Sequence, residues 1–150
     1  MTVRLSGPAR RRGLPAVDRA LLRARARRVL REIGRTGSEL SIALLDDPGI
    51  RALNAAWRGR DRATDVLAFS LEEGDHADRR GPLLGDVVIG VETAARQARA
   101  RRRGLDDELA RLLVHGALHL IGHDHVRAGE ARRMRAEERR ILRALREPGA

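Results

Sequence analysis

The chain has 150 residues, 42% of them apolar, with 31 Lys+Arg against 21 Asp+Glu, a formal net charge of +10 and a pI near 11.6. This suits one domain with a real core, excludes a disordered chain, and sets up a field that attracts polyanions. Cysteine is absent, so disulfides and thiolate metal sites are excluded, and any transition metal must be held by imidazole and carboxylate.

All 31 basic residues are arginine. A G/C-rich genome accounts for Arg in place of Lys but not for the net excess, and nucleic acid is the polyanion expected. Trp57 and Phe69 are the whole aromatic complement, so the core must come from Leu, Val, Ile and Ala. With two aromatics, stacking cannot be the main mode of nucleic-acid binding, and phosphate contacts by arginine take its place. No apolar run nears 18 residues and no signal peptide is seen, so a cytoplasmic location without membrane contact is expected.

Residues 2–5 alternate polar and apolar, a weak first strand. Residues 7–16 read as a basic, Gly/Pro-punctuated loop. From 17 to 33, Leu22, Ala26, Val29, Leu30 and Ile33 keep helical spacing, and Gly34 and Gly37 end it. Residues 39–45, ELSIALL, read as a buried strand. A short helix follows, with Asp47 as its cap, Pro48 at its first position, and Ile50, Leu53 and Trp57 inward. Strands are expected at 64–70 and 84–91, separated by a polar loop. Three helices complete the chain: one starting with ETAARQARARR, one over DDELARLLVHGALHLIG with acid in its first turn and Gly122 as its stop, and a charged last one. Met134, Ile141, Leu142 and Leu145 are that last helix's sparse apolar side. The pattern predicts an α+β fold in a single domain: one mixed sheet of about four strands packed with about five helices.

The stretch HGALHLIGHDH holds four of the five histidines. His115, His119 and His125 fall into H-x3-H-x2-G-x2-H, the zinc-binding spacing of many metalloproteases. A helix puts His115 and His119 on one face, and Gly122 lets the chain double back to bring in His125. Three protein ligands leave a fourth position open, as catalytic rather than structural zinc sites do. Those proteases carry a Glu general base directly after the first His, where this chain has Gly116. His123 reads as a non-ligand, surface or supporting residue. Asp124 is equally readable as a residue orienting an imidazole or a water and as a turn residue. His76 reads as solvated, and Asp86 as a buried turn-capping residue outside the catalytic set.

These residues resemble the YbeY family of bacterial endoribonucleases. The family signature is similar to H-G-x-L-H-L-x-G-Y-D-H, matched here except that His123 stands for Tyr. A second block, LNAAWRGRDRATDVLAF, and a third, LGDVVIGVETAARQA, resemble the family in the same order. Ala63 and Ser70 stand where the family often has Pro. The resemblance implies that residues 1–150 form a single metal-dependent hydrolase domain, with one zinc held by His115, His119 and His125 at the end of a helix. It implies cleavage of single-stranded RNA, with roles in small-subunit ribosomal RNA 3′-end maturation and ribosome quality control, and hence the small subunit and its assembly factors as partners. It also implies that Arg58 lines the cleft and matters for activity.

RNA carries its own nucleophile, the 2′-hydroxyl, so metal-assisted phosphodiester cleavage can proceed without the missing Glu. Arg58 suits the charge that builds on the phosphoryl oxygens, or else forms a structural pair with Asp61 or Asp65. The alternative to an enzyme is a non-catalytic assembly factor with a structural zinc. A metalloprotease comes third, since it needs Asp124 or another carboxylate to replace the Glu.

Overall fold

The computed structural model describes residues 2–7, 13–71, 83–123 and 127–147. Strand β1 (Thr2–Ser6), helix α1 (Arg19–Glu32), strand β2 (Glu39–Leu45) and helix α2 (Asp47–Arg58) come first. Strands β3 (Val66–Ser70) and β4 (Leu83–Gly90) follow, and then helices α3 (Val91–Ala100), α4 (Leu105–Leu120) and α5 (Ala128–Leu145). The sheet order is β1-β2-β4-β3, with β1, β2 and β4 parallel and β3 antiparallel to β4. This is the mixed α+β sheet expected from the sequence. It leaves β3 as an edge strand, and that edge becomes one wall of the site.

Period-two alternation sorts the strand residues between two layers. Leu40, Ile42 and Leu44 of β2 and Val87 and Ile89 of β4 face the main core, where α1, α4 and α5 pack. Leu67 and Val88 face the other way and meet Ile50 of α2 in a smaller cluster. Helix α4 is the centre of the larger layer: Leu112, Leu113, Leu118 and Leu120 are almost wholly buried. Burying each stabilises the fold by about 1.5–3 kcal/mol relative to exposure. The last helix packs onto the core, with Met134, Ile141 and Ala144 buried and Arg140 bonded to the Glu32 carboxylate and carbonyl of α1.

Helix starts moved where side chains cap them. Asp18 Oδ1 accepts from the Leu21 amide at 3.0 Å, so α1 begins at Arg19 rather than at 17. Asp46, not Asp47, caps α2 by accepting from Gly49 N at 2.8 Å. Asp47 sits inside the first turn instead, where it bonds Thr93 and Arg96 of α3. Asp65 Oδ1 takes the Val66 amide at 2.8 Å, and β3 begins there instead of at 64.

Trp57 is the clear departure: expected inward, it is 70% exposed. The buried stripe of α2 is Ile50 and Asn54, and Asn54 is drawn in because its amide donates to the Arg62 carbonyl at 2.9 Å. One turn later the helix reaches the edge strand, where the indole meets the Phe69 ring edge-on at 6.3 Å. The loops expected at 7–16 and 71–82 lie largely outside the described residues, as does His76.

Glu108 is fully buried in the first turn of α4. Its Oε1 accepts from Arg111 Nε at 2.9 Å and Nη2 at 2.7 Å, and from Arg101, the residue that ends α3, at 3.4 Å. Removing one partner of a buried ion pair leaves an uncompensated charge. Glu108→Ala is expected to destabilise the fold by about 3 kcal/mol, the lower part of that range because Arg111 keeps some solvent. Calorimetry should then show a melting temperature about 6–12 °C lower, at about 2–4 °C per kcal/mol for a chain of this size.

Candidate active-site cleft

Between the free edge of β3 and the exposed side of α4 lies a cleft of about 710 Å³. Its floor carries His115, Gly116 and His119, its β3 wall runs through residues 66–70, and Arg58 stands at its rim. The spacing of four on α4 brings the two imidazoles together: ring centres are 4.7 Å apart, and the two Nε2 atoms are 3.1 Å apart. Gly116 sits between them, pressed on the sheet. A Cβ there would lie 2.8 Å from Val87 Cγ1, closer than Cβ atoms normally approach, and 3.1 Å from Cγ2. The position where metalloproteases hold their Glu base therefore takes a side chain only if Val87 shifts.

His115 Nδ1 donates to Glu138 Oε1 of α5 at 2.6 Å. Burial pushes the Glu138 carboxyl up, but the His115 hydrogen bond and the neighbouring basic groups outweigh it and hold the group below the ordinary glutamate value. An ionised acceptor on Nδ1 puts the proton there and leaves the lone pair of Nε2 pointing at His119. The two Nε2 atoms at 3.1 Å are joined either by a proton that His119 donates to His115 or by a cation held between them. Two imidazole nitrogens on one tetrahedral zinc, each at about 2.0–2.1 Å, are about 3.3 Å apart. The donor pair thus fits a zinc ion.

His125 and Asp124 lie outside the described residues, and among those described no three metal-ligating side chains come together. Helix α4 does end as its glycine requires. Gly122 takes φ 95°, its amide bonds the His119 carbonyl at 3.1 Å, and the His123 amide bonds Leu118 O at 3.0 Å. This left-handed double closure turns the chain back on itself. His123 follows on the cleft wall.

Arg58 does not pair with Asp61 or Asp65. Asp61 is taken by Arg51 at 2.8 and 3.2 Å, and Asp65 by the Val66 amide and Gln97. The Arg58 Nη2 donates instead to the Ala68 carbonyl on the edge of β3 at 2.7 Å, and its guanidinium carbon lies 5.0 Å from the Phe69 ring centre. Asp86 is neither a buried turn cap nor a cleft residue. It is half-buried within β4, paired with Phe69, and faces the sheet's other side.

A family profile described as Endoribonuclease YbeY matches residues 15–146. The chain belongs to the YbeY family. It is 53% identical over 144 residues to Endoribonuclease YbeY of Anaeromyxobacter sp. (strain Fw109-5), covering 96% of this chain and 72% of that one. The YbeY protein of Geobacter sulfurreducens is 44% identical, with 85% of this chain and 87% of that protein covered. That of Myxococcus xanthus is longer: at 49% identity the chain spans 42% of it. A solution structure of a Thermotoga maritima protein superposes with a TM-score of 0.66 over 99% of both chains, at 22% identity, a likeness of fold.

Sequence reading missed Glu138. The signal was there: Met134, Glu138, Ile141 and Leu145 are spaced four, three and four apart, so a carboxylate stands in the buried stripe of a YbeY C-terminal helix. Such a group needs a partner, and His115 is that partner. The close approach of α4 is testable by itself. Gly116→Ala is expected to cost about 1–3 kcal/mol of stability by overpacking. Adding Val87→Ala should give back part of that loss, so a denaturation double-mutant cycle should show a coupling of at least about 0.5 kcal/mol.

Proposed function

We propose that the protein is a zinc-dependent endoribonuclease that cuts single-stranded RNA in ribosomal RNA processing, at small-subunit 3′-end maturation and in ribosome quality control. The observation that carries the proposal is the converging pair His115–His119, oriented by Glu138, on the floor of a cleft rimmed by Arg58. The relatives share the name Endoribonuclease YbeY, which favours this reading over a non-catalytic assembly factor. Ribosomal RNA and the small subunit with its assembly factors are the proposed partners. The cytoplasm is the proposed location, and among the described residues no helix is long and apolar enough to cross a membrane.

His115, His119 and His125 would hold one zinc per chain. When bound, the ion supplies Lewis-acid stabilisation of charge on a phosphoryl oxygen. The chain's own groups do the rest. Glu138 keeps the His115 proton on Nδ1, so the other nitrogen stays a lone-pair donor. Arg58 uses one N–H on Ala68 O, which fixes the guanidinium at the rim and leaves its other donors for a phosphate. The nucleophile is the 2′-hydroxyl of RNA or a water, and because Gly116 offers no base its proton must pass to a group other than residue 116. The arginine-rich surface gathers the strand by releasing its counterions.

Purified protein should cleave end-labelled single-stranded RNA, lose the activity after chelation, and regain it with zinc. His119→Ala should lose zinc and cleavage together, while Arg58→Glu keeps zinc and cleaves at least about tenfold more slowly. Zinc bound one to one without any cleavage would instead favour the assembly factor. Competition with a chromophoric chelator should show zinc held about 10–100-fold more weakly in Glu138→Gln, because the imidazole loses its orienting carboxylate. Unchanged affinity there would remove Glu138 from the site.

A further inference from the structure

Trp57 and Phe69, the chain's two aromatic residues, come from different elements and meet beside the cleft, which Phe69 lines. Their rings stand 6.3 Å apart at 70°. With Leu53, Val88 and Asp86 they line a second hollow of about 360 Å³. It opens on the sheet face opposite α4. Phe69 pairs with Asp86 and Leu67 with Val88, while Ala68 and Val87 between them face the other way. Phe69 lines both hollows, and the Arg58 guanidinium lies against its ring while rimming the cleft. A strand whose phosphate meets Arg58 therefore has this second hollow beside it.

The chemistry of the hollow is specific. Its walls are apolar and aromatic, and one carboxylate is set among them. Asp86 is half-buried, and no hydrogen bond or ion pair to it is found among the described residues. A carboxylate accepts and does not donate, and it repels phosphate. The fitting occupant is flat, neutral and rich in N–H groups, which describes an unpaired nucleobase. Guanine presents two adjacent N–H donors on its N1 and N2 edge and matches a carboxylate in parallel. Adenine and cytosine offer one amino group. Uracil offers a single N–H between two carbonyls. An indole that stands 70% in water gains most from a base laid on it.

We propose that Leu53, Trp57, Phe69, Asp86 and Val88 form a nucleobase subsite beside the cleavage cleft, and that Asp86 makes it favour guanine. The inference rests on the RNA-substrate reading above. Trp57 is the chain's one tryptophan, so its fluorescence reports on this hollow directly.

The test titrates the zinc-loaded protein with a short oligouridylate and with the same strand carrying one central guanine. Both strands are 2′-fluoro, so that the nucleophilic hydroxyl is absent. Trp57 emission and the anisotropy of labelled strands are read together. The guanine strand should quench Trp57 and bind about fivefold tighter or more, as one parallel pair of hydrogen bonds predicts. Asp86→Ala should abolish that preference while quenching persists. Trp57→Ala should weaken both strands by about fivefold or more. Equal binding of both strands by the wild type would overturn the role of Asp86. Binding without any quenching, unchanged in Trp57→Ala, would overturn the subsite and leave the substrate reading standing. Failure of the wild type to bind either strand would overturn both.

Discussion

At Gly116, helix α4 lies on β4 so closely that a methyl group would collide with Val87. The rest of the site depends on that approach. It sets the height of α4 over the sheet, and so places His115 and His119 level with the free edge of β3. It also removes any side chain from the place where a protease base would stand. The same contact thus bears on the position of the His115–His119 pair and on the absence of a side chain between them.

Helix α4 is held differently on its two sides. Its leucine side is buried against the sheet, α1 and α5 by dispersion and the hydrophobic effect, which are strong but indifferent to rotation. Its cleft side is held by directional polar contacts at one-turn intervals. Arg111 bonds buried Glu108 and lies 4.0 Å from Asp65, His115 bonds Glu138, and Ser70 Oγ donates to Leu120 O at the last turn. These contacts tie α4 to β3 and α5 and fix its rotation. The proposed metal ligands His115 and His119 need that fixing, since small misplacements matter far more in a site than in a core.

Charge is similarly divided between bulk and site. The net excess of arginine provides a long-range field with no preferred geometry. Precision comes from the few guanidinium groups held in place, above all Arg58, locked by the Ala68 carbonyl and the Phe69 ring. Glu138 is the negative counterpart, kept ionised by His115 and Arg111 despite its burial. Glu108, Glu138 and Asp65 are acids that orient other residues: Arg111, His115 and the Val66 amide with Gln97.

The sequence by itself determined the elements, their order and the α+β class, because hydrophobic period and glycine or proline punctuation are local signals. It determined the one-turn spacing of His115 and His119 and the reversal at Gly122, since helix geometry and a left-handed glycine need no tertiary partner. It also carried the YbeY signature, spread over ordered blocks. Other features were decided only by tertiary structure. Asp46 rather than Asp47 became the cap because the choice between adjacent acids depends on where the strand before them lets the chain turn. Trp57 lies outward against Phe69 of the edge strand, which no helical period records. Arg58 took the Ala68 carbonyl rather than a nearby Asp because Arg51 and Gln97 reach those carboxylates first. Glu138 found His115 across 23 positions of chain, a contact that exists only because α5 packs on α4. Local sequence specifies which way each residue faces along its own element, whereas what it faces is set by the packing of elements distant in sequence.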